Sequence, residues 1–152
     1  MNENGEIKLR RATLEDVDNV LEIEKTADGV KTYSALTDRS DVIKYIANDI
    51  FYIIEKNNEI AGNVSYELKD NNHAYLSGLV ILPKYQGQGI ARRAIGMILE
   101  ELKDVKQIEL FTHPENKKSI GLYISFGFKK TGEQIENYFG DGEPRIKMIL
   151  EK

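Results

Sequence analysis

A short apolar segment, a turn with two glycines and an amphipathic segment follow one another in the middle of the chain. They occupy residues 79–82, 83–89 and 91–102, and they read as a buried strand, a turn and a helix. A helix that begins directly after such a turn presents free backbone N–H groups at its positive end, which suits a phosphate group. Gly87 and Gly89 let the backbone approach an anion, because neither carries a Cβ atom. The segment therefore predicts a loop that holds a phosphorylated ligand.

Two widespread phosphate-binding loops do not fit these residues. A Walker A loop requires Gly-Lys-Ser/Thr, whereas Gly89 is followed by Ile90 and Ala91. The dinucleotide fingerprint requires Gly or Ala three residues after its second glycine, where this chain has Arg92. A different kind of phosphate loop is therefore expected.

Residues 86–91 read Gln-Gly-Gln-Gly-Ile-Ala, and this Gln-x-x-Gly-x-Ala pattern resembles the pyrophosphate loop of the GCN5-related N-acetyltransferases. A second segment extends the resemblance: Asn116 is followed seven residues later by Tyr123, within Leu-Tyr-Ile-Ser-Phe-Gly-Phe. The opening residues 9–16, Leu-Arg-Arg-Ala-Thr-Leu-Glu-Asp, are similar to the first strand and helix start of that family. In this order and spacing, the three segments make the resemblance cover nearly the whole chain.

The order of elements predicts an α/β fold in one domain, residues 1–152, with a mixed and largely antiparallel sheet and helices on both faces. Val42, Ile43 and Ile46 are expected to form the buried face of the second helix. Gly78 lies inside a strand and indicates a β-bulge. In the resembled family, such a bulge splays this strand from its neighbour and opens a slot for the acyl-pantetheine arm. Strands are predicted at 6–11, 51–56, 60–67, 73–82, 107–112, 128–139 and 145–150, and helices at 13–25, 38–48, 91–102 and 117–125.

Composition excludes several function classes. The chain has no cysteine, which removes disulfides, zinc thiolate sites and thiol catalysis, and no metal site is expected. The net charge of −4 argues against nucleic acid as a partner. No apolar run approaches the ~18 residues of a membrane span, and residues 1–6 are polar. We therefore expect a cytoplasmic protein that uses no membrane, while a homodimer stays open.

The resemblance implies acetyl-CoA as the cofactor and coenzyme A as the product. The backbone N–H groups of the loop would meet the pyrophosphate, and the main chain of residues 79–81 would pair with the pantetheine arm as an added strand does. Arg92 either adds a charge to this contact or only solvates the helix. Asn116 either binds an amide of the arm, caps the following helix, or does both. The expected cofactor-binding residues are Leu79, Val80, Ile81, Gln86, Gly87, Gln88, Gly89, Ile90, Ala91, Arg92, Asn116 and Tyr123.

Tyr123 is the expected catalytic residue. A phenol remains protonated at neutral pH, so it can supply or share a proton as the thiol of coenzyme A leaves. A backbone N–H of residues 79–81 would stabilise the oxyanion that forms when the amine attacks the thioester carbonyl. The alternative is that Tyr123 is a core aromatic residue held by its ring.

The general base is left open. In the branch of the family that acetylates protein N-termini, a Glu occupies the position at which this chain has Phe111. Its absence keeps a second function possible, a non-catalytic acyl-CoA-binding regulatory module. The candidates for a substitute base are a water relay or one of Glu109, His113, His73 and Tyr75.

The acceptor is expected to be a small-molecule or peptide amine, and its pocket to involve the first two helices, including Glu22, Glu24 and Tyr33, and the last hairpin. Residues 137–143 are similar to a segment of the ribosomal-protein N-terminal acetyltransferases, in which Tyr side chains help bind a peptide N-terminus. That similarity implicates Tyr138, with Asp141 or Glu143 nearby. A β-hairpin with an Asp-Gly turn explains the same residues without any substrate.

Overall fold

The computed structural model describes residues 5–152, so the first four residues of the polar N-terminal stretch lie outside the described part. It contains seven strands, in one sheet, and four α-helices. The strands are β1 (Ile7–Arg11), β2 (Ile50–Lys56), β3 (Glu59–Asp70), β4 (His73–Ile81), β5 (Gln107–Thr112), β6 (Lys129–Ile135) and β7 (Arg145–Glu151). The helices are α1 (Val17–Lys25), α2 (Arg39–Asn48), α3 (Ile90–Glu101) and α4 (Lys117–Ser125).

The strand order in the sheet is β1-β2-β3-β4-β5-β7-β6. Within residues 5–152, only the β4–β5 pair is parallel, and every other neighbouring pair is antiparallel. The prediction of a mixed, largely antiparallel sheet is confirmed. Among residues 5–152, no helix is both long and apolar enough to cross a membrane.

Helices cover both faces of the sheet, as predicted, because the strand residues alternate between two cores. Phe51 and Ile53 of β2 pack with α1 and α2, whereas Tyr52 and Ile54 belong to the core beneath α3 and α4. Successive side chains of a strand point to opposite faces, so this apolar strand serves both layers.

A capping box stands at the start of the 3-10 turn Leu14–Asp16, which leads into α1. The Thr13 side chain accepts a hydrogen bond from the backbone near the helix start, and the Asp16 carboxylate accepts one from the Thr13 N–H (2.9 Å). Arg10 also binds Asp16 through two guanidinium hydrogen bonds, which hold the pKa of that carboxyl down at about 2. This part of the chain links β1 firmly to the first helical layer.

Two predicted details were wrong. Ile43 is 40% exposed, because α2 turns only Val42 and Ile46 into the core. The strand predicted for 128–139 ends at Ile135, because Asn137 has a positive φ of 52° that breaks the extended backbone. Residues 136–144 form a loop between β6 and β7 instead.

The predicted bulge is present in β4. Ser65 of β3 pairs with Gly78, whereas the next residue, Tyr66, pairs with Leu76, so that Ser77 is the extra residue. The parallel β4–β5 pairing covers only residues 73–76 of β4. Beyond Leu76, β4 has no strand neighbour on the β5 side, and the sheet is open at this point.

Candidate active site

The turn before α3 exposes backbone N–H groups. Gly87 and Gly89 adopt left-handed backbone with φ of 78° and 77°, and Gly89 is the N-cap of the helix. The first helical hydrogen bond runs from the Arg93 N–H to the Gly89 carbonyl (3.1 Å), so the N–H groups of Ile90, Ala91 and Arg92 have no acceptor within the helix. A Cβ atom added at either glycine would meet no other atom within 4 Å. The turn therefore has both the donors and the room to take an anion.

A cavity of about 490 Å³ lies over this turn and is called the loop groove below. Its walls include Ile81, Gln86 and residues 89–92. The Gln86 amide donates to the Ile81 carbonyl (2.9 Å) and so ties the turn to the end of β4. The Arg92 guanidinium donates to Ser125 Oγ (2.8 Å) and lies over the Phe126 ring. Arg92 therefore borders the groove while its charge is partly engaged by α4.

Gln88 and Val80 do not border the loop groove. The Gln88 amide donates to the Lys84 carbonyl (3.2 Å) and accepts a hydrogen bond from Lys56, which turns it away from the helix start. The Val80 side chain is buried in the core with α1 and α2. Either residue has only its backbone to offer to a ligand.

A second cavity, of about 380 Å³, lies at the open part of the sheet beside the bulge and is called the bulge cavity below. Its walls include Glu24, Tyr33, Ser65, Ser77, Phe111 and Tyr123. Four residues border both cavities, namely Thr32, Leu79, Asn116 and Ser119. The two cavities therefore adjoin, and the free edge of β4 at Leu79 lies at their junction.

Asn116 borders both cavities, and Tyr123 borders the bulge cavity. The Asn116 side chain accepts a hydrogen bond from the Ser119 N–H (3.1 Å), so it caps α4. Capping uses its carbonyl oxygen and leaves its amide N–H groups for a ligand. Tyr123 is 8% exposed and packs edge-on against Phe128, at a centroid distance of 5.5 Å. Burial alone raises the pKa of its phenol to about 12, so the hydroxyl stays protonated at neutral pH.

One wall of the bulge cavity is built around a buried carboxylate. Glu24 is 1% exposed and accepts hydrogen bonds from the Tyr33 hydroxyl (3.0 Å) and the Leu36 N–H (2.9 Å). Burial raises the pKa of Glu24, and the hydrogen bonds from the Leu36 N–H and the Tyr33 hydroxyl oppose that shift. These contacts fasten the segment between α1 and α2 over the cavity. Glu22, by contrast, is exposed and borders neither cavity.

The base candidates chosen from the sequence lie outside the bulge cavity wall. Glu109 is paired with His73 and Lys147, at 3.3 Å in each case. His113 is fully buried, with its Nδ1 accepting from the Glu115 N–H (3.0 Å) and its Nε2 donating to Glu143 (2.8 Å). Tyr75 packs against Phe111. The side chains of these candidates are therefore engaged outside the bulge cavity.

The loop before β7 contributes aromatic and cationic groups. Tyr138 stacks on Phe111 at a centroid distance of 4.3 Å, outside the cavity wall, while its neighbour Phe139 borders the cavity. Arg145 also borders it, although the residue is only 1% exposed. Its guanidinium binds Asp141 (2.9 Å) and lies over the Phe139 ring. The sequence singled out Tyr138 and gave no signal for Phe139 or Arg145.

Polar residues of β3 and β4 were missed by sequence reasoning. Asn63, Ser65 and Ser77 border the bulge cavity, although Asn63 and Ser65 are almost completely buried. The Asn63 Nδ2 group has no hydrogen-bond partner in the described part of the chain. The one sequence signal that could have identified them is the presence of a polar residue within an apolar strand.

The match to known proteins agrees with this arrangement. Residues 17–128 match the acetyltransferase (GNAT) family. The chain belongs to that family. Membership of the GNAT family confirms the resemblance drawn from the sequence, and with it the prediction of an N-acetyltransferase fold and enzyme class.

Several GNAT proteins are similar over nearly the whole chain. The spermidine N(1)-acetyltransferase of Escherichia coli K12 is 29% identical over 160 residues, which cover 95% of this chain and 85% of that protein. The solved ribosomal-protein-S18-alanine N-acetyltransferase of Escherichia coli has a TM-score of 0.80 at 20% identity, covering 96% and 94% of the two chains. The PaiA N-acetyltransferase of Thermoplasma acidophilum, solved in complex with coenzyme A, has a TM-score of 0.76 at 18% identity, covering 97% and 99%.

Proposed function

We propose that this protein transfers an acetyl group from acetyl-CoA to a primary amine, by direct attack of the amine in a ternary complex. The observation that carries the proposal is the junction of the two cavities. One cavity is bordered by the start of α3 with its free N–H groups, the other is lined by Tyr123, and they adjoin at Leu79 and Asn116. A long ligand with a diphosphate at one end and a reactive group at the other fits such a path.

The donor is acetyl-CoA, bound in the loop groove. The N–H groups of residues 87–92 hold the pyrophosphate, where the helix dipole adds roughly 0.3–1 kcal/mol for each favourable contact. The free edge of β4 from Leu79 to Ile81 accepts the pantetheine arm as an added strand, and Asn116 donates an amide N–H to it. The coenzyme A complex of the PaiA protein supports this assignment, because that protein shares the fold.

The chemistry requires that the leaving sulfur gain a proton and that the attacking nitrogen lose one, and Tyr123 takes part in both transfers. The amine nitrogen forms a bond to the acetyl carbon as the bond from that carbon to sulfur breaks. Tyr123 gives its hydroxyl proton to the leaving sulfur, and the proton lost by the attacking nitrogen restores the phenol. A pKa of about 12 keeps Tyr123 in the acid form that this role requires. An N–H of residues 79–81 stabilises the negative charge on the carbonyl oxygen.

The acceptor is a primary amine that enters the bulge cavity. The cavity wall carries the carboxylates of Glu24 and Asp41, which favours a cationic ligand. Arg145 is the cation of the wall, and Asp141 compensates its charge. The names of the GNAT proteins described above include a polyamine and a protein N-terminus as acceptors, so both belong in the test.

The test follows release of free thiol from acetyl-CoA with a panel of amines. The panel contains spermidine, a peptide that begins with alanine, a peptide with an internal lysine, and an N-acetylated peptide without any free amine as the control. We expect thiol release with at least one amine and none with the control. Tight binding of coenzyme A in calorimetry without thiol release from any amine would instead identify a regulatory acyl-CoA-binding module.

A further inference from the structure

A hydrogen-bonded chain of two serine hydroxyls and a carboxylate leads away from the bulge cavity. Ser65 Oγ and Ser77 Oγ are 2.8 Å apart, and Ser77 Oγ donates to the Asp49 carboxylate at 3.1 Å. The three residues come from β3, from the bulge of β4 and from the end of α2.

The ionised carboxylate fixes the direction of the hydrogen bonds. A serine hydroxyl has one proton to donate, and Ser77 donates its proton to Asp49. Ser65 must therefore donate to Ser77, which leaves the lone pairs of Ser65 Oγ free to accept. The outer end of the chain is thus an acceptor for an N–H group.

The Ser65 end of this hydrogen-bonded chain lies at the bulge cavity. Ser65 and Ser77 both border the bulge cavity, while Asp49 lies behind them and is 8% exposed. A Cβ atom at Gly78 would lie 3.5 Å from Ser65 Oγ and 3.4 Å from Tyr33 Oη. Because Gly78 has no side chain, the space beside Ser65 stays open one residue before Leu79, where the cavities adjoin.

The surroundings of Asp49 suit a proton acceptor. Burial raises the pKa of Asp49 to about 6, with the hydrogen bond from Ser77 acting to lower it and the negative charge of Glu67 acting to raise it. Glu67 approaches from β3, and the phenol of Tyr45 lies close on α2. Asp49 is therefore ionised at neutral pH and can take a proton there. Glu24 also has a raised pKa, but its oxygens already accept from Tyr33 and Leu36.

We propose that Asp49 takes the proton of the acceptor ammonium through Ser77 and Ser65. The inference rests on the proposed acetyl transfer. The ammonium gives a proton to Ser65 Oγ, the Ser65 proton passes to Ser77 Oγ, and the Ser77 proton passes to Asp49, which becomes a neutral carboxyl group. The amine is left neutral and able to attack, and Asp49 later releases the proton to solvent. Ser65 touches the substrate, whereas Asp49 acts through the two hydroxyls as a positioning residue.

The experiment measures the pH dependence of kcat/KM between pH 5 and 9, with the amine of the panel that the wild type acetylates. The wild type is expected to lose activity in acid with a midpoint near pH 6, because Asp49 must be ionised. Asp49→Asn should lose about 10²-fold or more in kcat/KM and should lack this acidic limb. Ser77→Ala should lose activity to a similar degree, and Ser77→Thr, which keeps the hydroxyl, should recover most of it.

Glu67→Gln tests a quantity, the acidic midpoint of the pH profile, that would not move if Asp49 had only a structural role. Removing that negative charge lowers the pKa of Asp49, so the acidic midpoint should move to lower pH while the plateau stays close to that of the wild type. Asp104→Asn, in the exposed loop after α3, is the matched control and should leave the profile unchanged.

Stability measurements separate loss of the proton path from loss of the fold. Because the folded pKa of Asp49 is raised from 3.8 to about 6, its stabilising effect is fully present below about pH 4 and is lost as the pH rises through 6. Asp49→Asn should therefore be more thermostable than the wild type at pH 7.5, and this advantage should vanish near pH 4. A less active but more stable variant cannot owe its defect to unfolding.

Two different failures are distinguishable. If the wild type releases no thiol with any amine, the proposed function fails and the proton path fails with it. If the wild type is active and Asp49→Asn keeps the same rate and the same acidic limb, the acetyl transfer stands and the path through Ser77 and Ser65 is overturned.

Discussion

Gly62 and Val80 bring β3 and β4 unusually close together. A Cβ atom at position 62 would lie 2.1 Å from the Val80 carbonyl oxygen, which is far inside van der Waals contact. The obstacle is backbone and cannot rotate away as a side chain does. The contact lies on β4 between Leu79 and Ile81, so the glycine helps to set the strand edge that borders both cavities.

Gly62→Ala is therefore expected to destabilise the protein, at or above the upper end of the ~1–3 kcal/mol that is typical of overpacking. Chemical denaturation measures the change. Gly121→Ala is the matched control: Gly121 is exposed on α4, an added Cβ meets nothing within 4 Å, and the helix should gain roughly 0.5–1 kcal/mol. Equal stability of the wild type and Gly62→Ala would show that the strands separate at little cost.

Tyr123→Phe should lower kcat by one to three orders of magnitude and leave the affinity for coenzyme A nearly unchanged. The substitution removes the proton donor but keeps the ring that packs on Phe128. Steady-state thiol release and calorimetry give the two quantities. Full activity in this variant would remove Tyr123 from the chemistry. Because the pKa of the phenol is about 12, the wild type should show no alkaline limb from Tyr123 below pH 10.

Gly89→Glu should abolish binding of coenzyme A, since it puts a bulky anion at the N–H groups of α3, which we propose to bind the pyrophosphate. A left-handed backbone strains any larger residue, so a control with the same strain is needed. Gly132→Glu provides it, because Gly132 has a φ of 88° and open space, and it lies on β6 away from both cavities. Calorimetry should show normal binding for the control, with circular dichroism reporting an intact fold in both. Retained binding in Gly89→Glu would exclude the loop as the pyrophosphate site.

Asn116→Ala and Asn116→Ser separate the two roles of this residue. Alanine removes both the cap of α4 and the amide donors, so it should cost about 1 kcal/mol of stability and weaken binding of coenzyme A. Serine keeps a capping oxygen, so it should restore the stability but not the affinity. Thermal denaturation and calorimetry measure the two effects. If serine also restored the affinity, the amide of Asn116 would have no part in binding.

Much of the fold could be predicted from the sequence because its signals are local. The bounds of β5 and α4 agree with the prediction at both ends, since each is an apolar pattern of clear period between turn residues. The bulge near Gly78 was also predicted, because glycine is unfavourable inside a strand. The errors at Ile43 and Ile135 arose where packing or a single backbone dihedral angle ended a regular pattern.

The two cavities of the candidate site also differ in how far the sequence alone could predict them. The loop from Gln86 to Arg92 is one continuous segment, and its backbone geometry follows from its own glycines, so the sequence alone determined a turn with free N–H groups and room for an anion. The chain Ser65, Ser77 and Asp49 joins residues up to 28 positions apart, and the choice of Phe139 over Tyr138 depends on how one loop folds. Only the tertiary structure decided these hydrogen bonds and the position of Phe139 in the cavity wall. The physical reason is that hydrogen bonds and burial depend on distances between side chains that are far apart in the sequence, and no local sequence pattern specifies those distances.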